Sequence, residues 1–174
     1  MSRFAIVCTL FLVAAMPAMA QEGETFWGIM VGGNSYSQKG FSFEMPSITG
    51  RLSYNVNHFV DVEARLGYGG NTSSNGVSMG MNWLAGAYAK ARWEVMERLY
   101  VTAIGGYTMA NTTAKQATGR LSETDGSLGG GLGLDFYADR HSGLNMEWVR
   151  YFDSTRYGAN YTIDHVGVGY FQKF

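Results

Sequence analysis

The sequence predicts an all-β fold, an eight-stranded antiparallel up-and-down transmembrane β-barrel. Three observations carry that prediction. Apolar and polar residues alternate with period two in eight segments, whereas a helical period is weak throughout. The connections between those segments alternate between short turns and longer polar loops. Glycines and nearly balanced charges gather on one face of the segments, and aliphatic side chains on the other.

An export leader precedes the first segment. Met1–Ala20 has a positive start at Arg3, an apolar stretch Phe4–Met16 too short to span a bilayer as a helix, and the small-x-small pattern Ala18-Met19-Ala20. The expectation is a cleaved signal peptide over residues 1–20 and a mature barrel over 21–174. Cys8 is the only cysteine and lies in the leader, so disulfides and thiolate chemistry are excluded from the mature part. Without Arg3 the chain is slightly acidic, which leaves no basic surplus to neutralise a phosphate backbone and excludes nucleic acid as a partner. Charged residues are only 16% and aromatics 14%, a composition far from that of disordered chains.

The segments follow in order. Thr25–Asn34 sets Trp27, Ile29 and Val31 against Gly28, Met30 and Gly32. Ser47–Asn55 sets Ile48, Gly50, Leu52 and Tyr54 against Thr49, Arg51 and Ser53. Phe59–Gly69 is the clearest: Val60, Val62, Ala64, Leu66 and Tyr68 alternate with Asp61, Glu63, Arg65 and Gly67. Val77–Trp93 places Met79, Met81, Trp83, Ala85, Ala87, Ala89, Ala91 and Trp93 on the apolar face, opposite Gly80, Asn82, Gly86, Tyr88, Lys90 and Arg92; Leu84 breaks the polar side. Leu99–Met109 is ambiguous in register, with Val101, Ala103 and Tyr107 assigned to the apolar face. Ser127–Phe136 sets Leu128, Leu132, Leu134 and Phe136 against Gly129, Gly131, Gly133 and Asp135. Gly143–Phe152 sets Leu144, Met146 and Trp148 against Asn145 and Glu147, with Arg150 falling on the apolar side. Tyr161–Phe174 sets Val166, Val168, Tyr170 and Phe174 against His165, Gly167, Gly169 and Lys173.

Short turns are expected at Asn55–His58, Glu94–Arg98 and Tyr137–Ser142, and longer loops at Ser35–Pro46, Gly70–Gly76, Ala110–Gly126 and Asp153–Asn160. That alternation is the signature of a barrel that crosses a membrane.

A soluble barrel would turn the aliphatic face inward; a membrane barrel turns it outward. Three features favour the second. Glycine on a solvated outer face only weakens a strand, whereas inside a narrow barrel it makes room for long polar side chains. The polar-face charges nearly cancel: Arg51, Arg65, Lys90, Arg92 and Lys173 face Asp61, Glu63, Asp135 and Glu147. Buried charges must be paired, whereas solvated ones need no balance. Aromatics also cluster near segment ends, with Trp27, Tyr54, Phe59, Trp93, Tyr100, Phe136 and Phe174 by the short turns. Tyr36, Tyr68, Tyr107, Tyr151, Phe152 and Tyr161 lie by the long loops, so the two groups read as a pair of interfacial belts.

The terminal run Val166-Gly167-Val168-Gly169-Tyr170-Phe171-Gln172-Lys173-Phe174, with Val60–Tyr68, Ser127–Phe136 and Asn145–Trp148, resembles the small outer-membrane β-barrel family typified by the transmembrane domain of OmpA and by OmpX and Ail. The resemblance covers Gln21–Phe174. It implies a Gram-negative outer-membrane location, contact with outer-membrane lipid and lipopolysaccharide, and delivery by periplasmic chaperones to the Bam insertion machinery. It also implies that Val166, Val168, Tyr170 and Phe174 form the C-terminal assembly signal. In that family an interior carboxylate–cation network seals the barrel. The matching set here is Glu63, Lys90 and Glu147, with Arg51 or Arg65 as guanidinium partner, within a wider interior group that adds Asp61, Arg92 and Asp135.

No catalytic residue, cofactor or metal is expected. A lipid A deacylase of this architecture would carry His-x-Ser late in the seventh segment, where this chain reads Arg150-Tyr151-Phe152-Asp153-Ser154. His58 and His141 fall at short turns, and His165 points away from its neighbour Asp164 because adjacent strand residues face opposite sides. Eight strands leave an interior that side chains fill, which disfavours a wide pore. The reading is a monomeric, non-catalytic barrel with a structural or surface-interaction role. The alternatives are a loop-mediated adhesin or immune-evasion factor binding a host or surface ligand through Tyr36, Phe41 and Phe43, a narrow gated channel and, last, a lipid A-modifying enzyme.

Overall fold

A computed structural model describes residues 23–38, 41–74, 77–116, 119–156 and 159–174. The leader Met1–Ala20 lies outside the described residues. Among the described residues nine antiparallel strands follow one another: β1 (Thr25–Gln38), β2 (Phe41–Asn57), β3 (Val60–Gly69), β4 (Asn71–Ser74), β5 (Val77–Met96), β6 (Leu99–Gln116), β7 (Gly119–Tyr137), β8 (Ser142–Arg156) and β9 (Ala159–Lys173). The expected eight become nine because the third breaks at Gly70; β3 and β4 both lie along β5. Sequence neighbours pair in turn, β1 pairs with β9, and β3 bridges β2 and β5, so the ring has eight positions and closes on itself.

The alternation decides which way each side chain points. Leu66 is 71% exposed on the outer wall while Arg65 beside it is 1% exposed in the lumen. Ile29, Val31, Leu52, Val62, Leu132, Leu144, Trp148, Val166 and Val168 are likewise exposed, and Glu63, Lys90, Asp135 and Glu147 are buried. This is a barrel turned inside out relative to a soluble one, as hydrocarbon solvation demands. Glycine on the inner face makes room. A Cβ on Gly86 would stand 2.6 Å from the Tyr88 ring, which lies across it.

The polar connections differ from the expectation of loops. At Ser35–Pro46, Ala110–Gly126 and Asp153–Asn160 the strands stay paired, for example from Gly33↔Pro46 to Gln38↔Phe41, and there β1 also pairs with β9 from Gly33↔Val166 to Gln38↔Tyr161. Beyond the lipid a ladder no longer needs an apolar outer face, so the composition turns polar while the backbone pairing continues. One wall is shorter. The β7–β8 ladder stops at Gly130↔Arg150, whereas β6–β7 continues to Gln116↔Gly119.

Two bulges revise the inward and outward assignment. The register shift between Met81 and Trp83 rotates Met79 and Met81 into the lumen, not outward with Trp83. The shift between Arg150 and Phe152 buries both Tyr151 and Phe152, which therefore do not belong to an outer belt. Tyr161 is also buried, Tyr36 stacks on it at 5.9 Å, and Tyr100 meets the lumen-facing Tyr137 at 5.3 Å. The outer aromatics that remain include Trp27, Tyr54, Trp93 and Phe136 toward the short turns and Tyr68 and Tyr107 toward the long hairpins.

The short turns are held by side chains. Asn57 Oδ1 accepts from the amides of Phe59 and Val60 at 2.8 and 2.9 Å. Asp139 Oδ1 accepts from the amides of His141 and Ser142 at 2.7 and 2.8 Å, and those bonds hold its carboxyl below the ordinary aspartate value.

Candidate functional site in the barrel lumen

The lumen is filled in layers. At the short-turn mouth a cavity of about 650 Å³ is lined by Glu24, Phe26, Asn55, His58, Arg92, Tyr100, Tyr137, Arg140, His141 and Lys173. Lys173 reaches Glu24 at its rim. The cavity roof is aromatic: Phe171 meets Tyr137 at 4.9 Å and Phe26 at 6.1 Å.

Above lie the charges. Arg92 Nη1 stands 3.7 Å from Asp61, and Lys90 Nζ donates to Asp135 at 2.5 Å. Arg65 Nε donates to Glu63 at 2.5 Å, and its two terminal nitrogens grip both oxygens of Glu147, Nη2 at 3.0 Å. Arg51 completes this quartet, 3.8 Å from Glu63 and 3.7 Å from Glu147. Ser53 Oγ donates to Glu63 at 2.8 Å, and the Arg65 guanidinium lies 4.7 Å from the centre of the Tyr88 ring. Among the described residues four cations thus meet four carboxylates in this layer. Lys90 joins Asp135 instead of Glu63 or Glu147, so the charges divide into one quartet and two simple pairs.

The next layer is thioether and imidazole. His165, 1% exposed, directs Nδ1 to Asn34 Oδ1 at 2.9 Å and lies against Tyr151 at 5.5 Å. The layer above it packs Met45, Met81, Phe152, Tyr161 and Ile163, leaving a cavity of only about 30 Å³. Asp164, the chain neighbour of His165, faces outward and pairs with Arg150 at 2.8 Å.

The aromatic residues expected to display themselves on a surface loop do otherwise. Phe43 is 7% exposed and sits opposite Tyr36 in the β1–β2 ladder, so it belongs to the lumen filling. Tyr36 is half-buried and donates to Gln38 at 2.8 Å. The side chain of Phe41 lies outside the described residues. The sequence places Tyr88 on the inner face, where it is buried, but Tyr151 and Phe171 were missed as lumen groups, although the parity of Phe171 with Lys173 was available. The C-terminal Val166, Val168, Tyr170 and Phe174 all point outward.

The model for the outer membrane protein beta-barrel domain matches residues 6–174. The chain belongs to the outer-membrane β-barrel family. Membership implies residence in the outer membrane of a Gram-negative envelope. Among solved barrels, Neisserial surface protein A superposes with a TM-score of 0.74 at 12% identity, over 86% of this chain and 97% of that one. Ail of Yersinia pestis gives 0.62 at 15%, over 87% and 99%. The N-terminal barrel of Pseudomonas aeruginosa OprF gives 0.60 at 14%, over 86% and 99%. At these identities the likeness is one of fold. No curated protein sequence matches the chain.

Proposed function

We infer that this outer-membrane barrel is a closed, non-catalytic scaffold that acts through its outward hairpins, in a structural or surface-interaction role. The observation that carries the reading is the cross-braced quartet of Arg51, Glu63, Arg65 and Glu147 at the waist, capped by a packed aromatic and methionine layer. An eight-stranded interior filled this way has no continuous aqueous path. Planar-bilayer recording of the refolded protein tests it: silent membranes are expected, and reproducible steps would instead support the narrow gated channel. Unchanged lipid A acylation by mass spectrometry after expression is the matching test for catalysis.

A surface ligand is the second element. Lys115 and Arg120 stand directly opposite each other at the tip of the β6–β7 hairpin, both exposed. Like charges placed opposite each other destabilise a ladder, which favours an anionic partner between them. Ail has been solved in complex with the heparin analogue sucrose octasulfate, a ligand of that class. Sucrose octasulfate binding that weakens at least tenfold in the Lys115→Gln, Arg120→Gln double variant would support the reading; equal binding by both forms would remove it.

Delivery to the membrane rests on two further proposals. Residues 1–20 are a cleaved signal peptide that leaves the barrel 21–174. The outward row Val166, Val168, Tyr170 and Phe174 is the segment that chaperones and the Bam machinery recognise, after which the barrel sits as a monomer among phospholipid and lipopolysaccharide.

A further inference from the structure

Four buried polar side-chain atoms lack a hydrogen-bond partner among the described residues, and two of them, His165 Nε2 and Asn145 Oδ1, belong to side chains that lie against one thioether. The thioether is Met30, itself 1% exposed. Asn145 Nδ2 lies 3.8 Å from Met30 Sδ. A Cβ placed on Gly167 would stand 2.5 Å from His165 Nε2 and 3.0 Å from Met30 Sδ, so the imidazole nitrogen and the sulfur converge on one point. Gly32 lies across the β1–β9 ladder from Gly167, and no side chain from either residue enters that space.

The imidazole is oriented as a metal ligand would be. Asn34 Oδ1 accepts from Nδ1, which assigns the proton to that nitrogen and leaves the lone pair on Nε2. A ligating histidine usually carries such a carbonyl partner on its other nitrogen. Asn34 is fixed in turn, its amide directed to Met81 Sδ at 3.7 Å.

The donor set selects the ion. Thioether and imidazole are soft or borderline donors that favour Cu(I) over hard cations. Both donors are neutral, and the nearby carboxylate of Glu147 is already held by Arg65 and Arg51. A dication here would bring two uncompensated charges into a buried site, whereas a monovalent ion brings one.

We propose that Met30 Sδ and His165 Nε2 form a binding site for a soft monovalent metal ion, Cu(I) or Ag(I), inside the barrel. Asn145 sits beside the ion and Asn34 sets the imidazole. Binding involves no electron transfer and no change in the bonds of the protein. The alternative use of Met30 is packing alone, since methionine is a common gap-filler.

Ag(I), which needs no reductant, is the probe. The full barrel is refolded in detergent with silver nitrate in chloride-free buffer, and methionine methyl and histidine nitrogen resonances are followed by NMR. The expected result is saturation at one ion per chain, with shifts of the Met30 methyl and of His165 Nε2. Zn(II) is expected to leave both in place. Met30→Leu, close in volume, is expected to weaken binding at least tenfold while retaining heat-modifiable gel mobility. If that variant does not fold, the Met30 and His165 shifts in the unsubstituted protein decide alone. Shifts confined to the exposed methionines Met96, Met109 and Met146, an equal response to Zn(II), or undiminished binding by folded Met30→Leu would overturn the proposal.

Discussion

Arg65 and Glu147 clasp each other across the full width of the barrel. They lie on β3 and β8, which are four positions apart whichever way the ring is followed, and the guanidinium meets the carboxylate through two of its nitrogens. A bond between neighbouring strands repeats what the ladder already does, whereas this one ties opposite walls.

Removing Glu147 leaves the Arg51 and Arg65 guanidiniums to share Glu63, one buried positive charge in excess. Glu147→Ala is expected to destabilise the barrel by about 3–5 kcal/mol, the usual cost of breaking a buried pair. Urea unfolding in lipid vesicles, followed by tryptophan fluorescence, measures it. A loss within about 0.5 kcal/mol, typical of a featureless surface site, would mean the carboxylate is solvated.

Gly105 and Gly106 are adjacent and face opposite ways. A Cβ on Gly106 would meet the Ala87 carbonyl oxygen at 2.2 Å and the Tyr88 ring at 2.6 Å, while one on Gly105 meets nothing within 4 Å. Gly106→Ala should therefore cost about 1–3 kcal/mol through overpacking, and Gly105→Ala should be close to neutral. Unfolding midpoints of the two variants, measured side by side, test the wall's orientation at a single peptide unit.

Leu66 is the converse case on the outer wall. Leu66→Arg presents a charge to lipid and is expected to cost up to about 2–4 kcal/mol in a bilayer, with the largest value at the midplane. Unfolding in lipid vesicles measures the loss; a change within about 0.5 kcal/mol would mean that Leu66 faces water.

The waist of this protein was legible because each strand residue has only two directions to face. Once Val62 and Leu66 point outward, Glu63 and Arg65 must point inward. Met79, Met81 and Phe152 were not legible, since a bulge of one residue reverses parity without leaving a compositional mark. Lys90 was recognisable as an interior cation, but its partner Asp135 was not. That choice depends on the stagger between β5 and β7, which are not neighbours, and period-two alternation carries no information about stagger. Phe43 was misread because an aromatic in a polar stretch looks like a displayed contact until the ladder is seen to continue through it.

The turn at Asp139 gives a pH prediction. Its carboxylate accepts backbone amides, so its pKa in the folded protein lies below that in the unfolded chain. The contribution of the turn is complete above the unfolded value and is lost as pH falls through the folded one. Carbon-detected NMR titration should find the Asp139 midpoint below the ordinary aspartate value of about 3.9; a midpoint at or above that value would mean the turn is open.

Phe174, exposed at the end of the last strand, makes a kinetic prediction. Phe174→Ala should lower the fraction of heat-modifiable protein reaching membranes in cells, while protein refolded in detergent keeps its unfolding midpoint. An equal fall in both would assign the residue to stability instead of delivery.

The early end of the β7–β8 ladder at Gly130 and Arg150 also reports how deep the molecule floats. Amides cannot forgo partners among acyl chains, so the oily slab must finish at or below that rung. The outward Arg150–Asp164 pair rides at the same height. The gap between the two tall hairpins is then a waterline, and a depth-sensitive spin label walked from Leu128 to Leu134 should cross from headgroup to chain signal beside it.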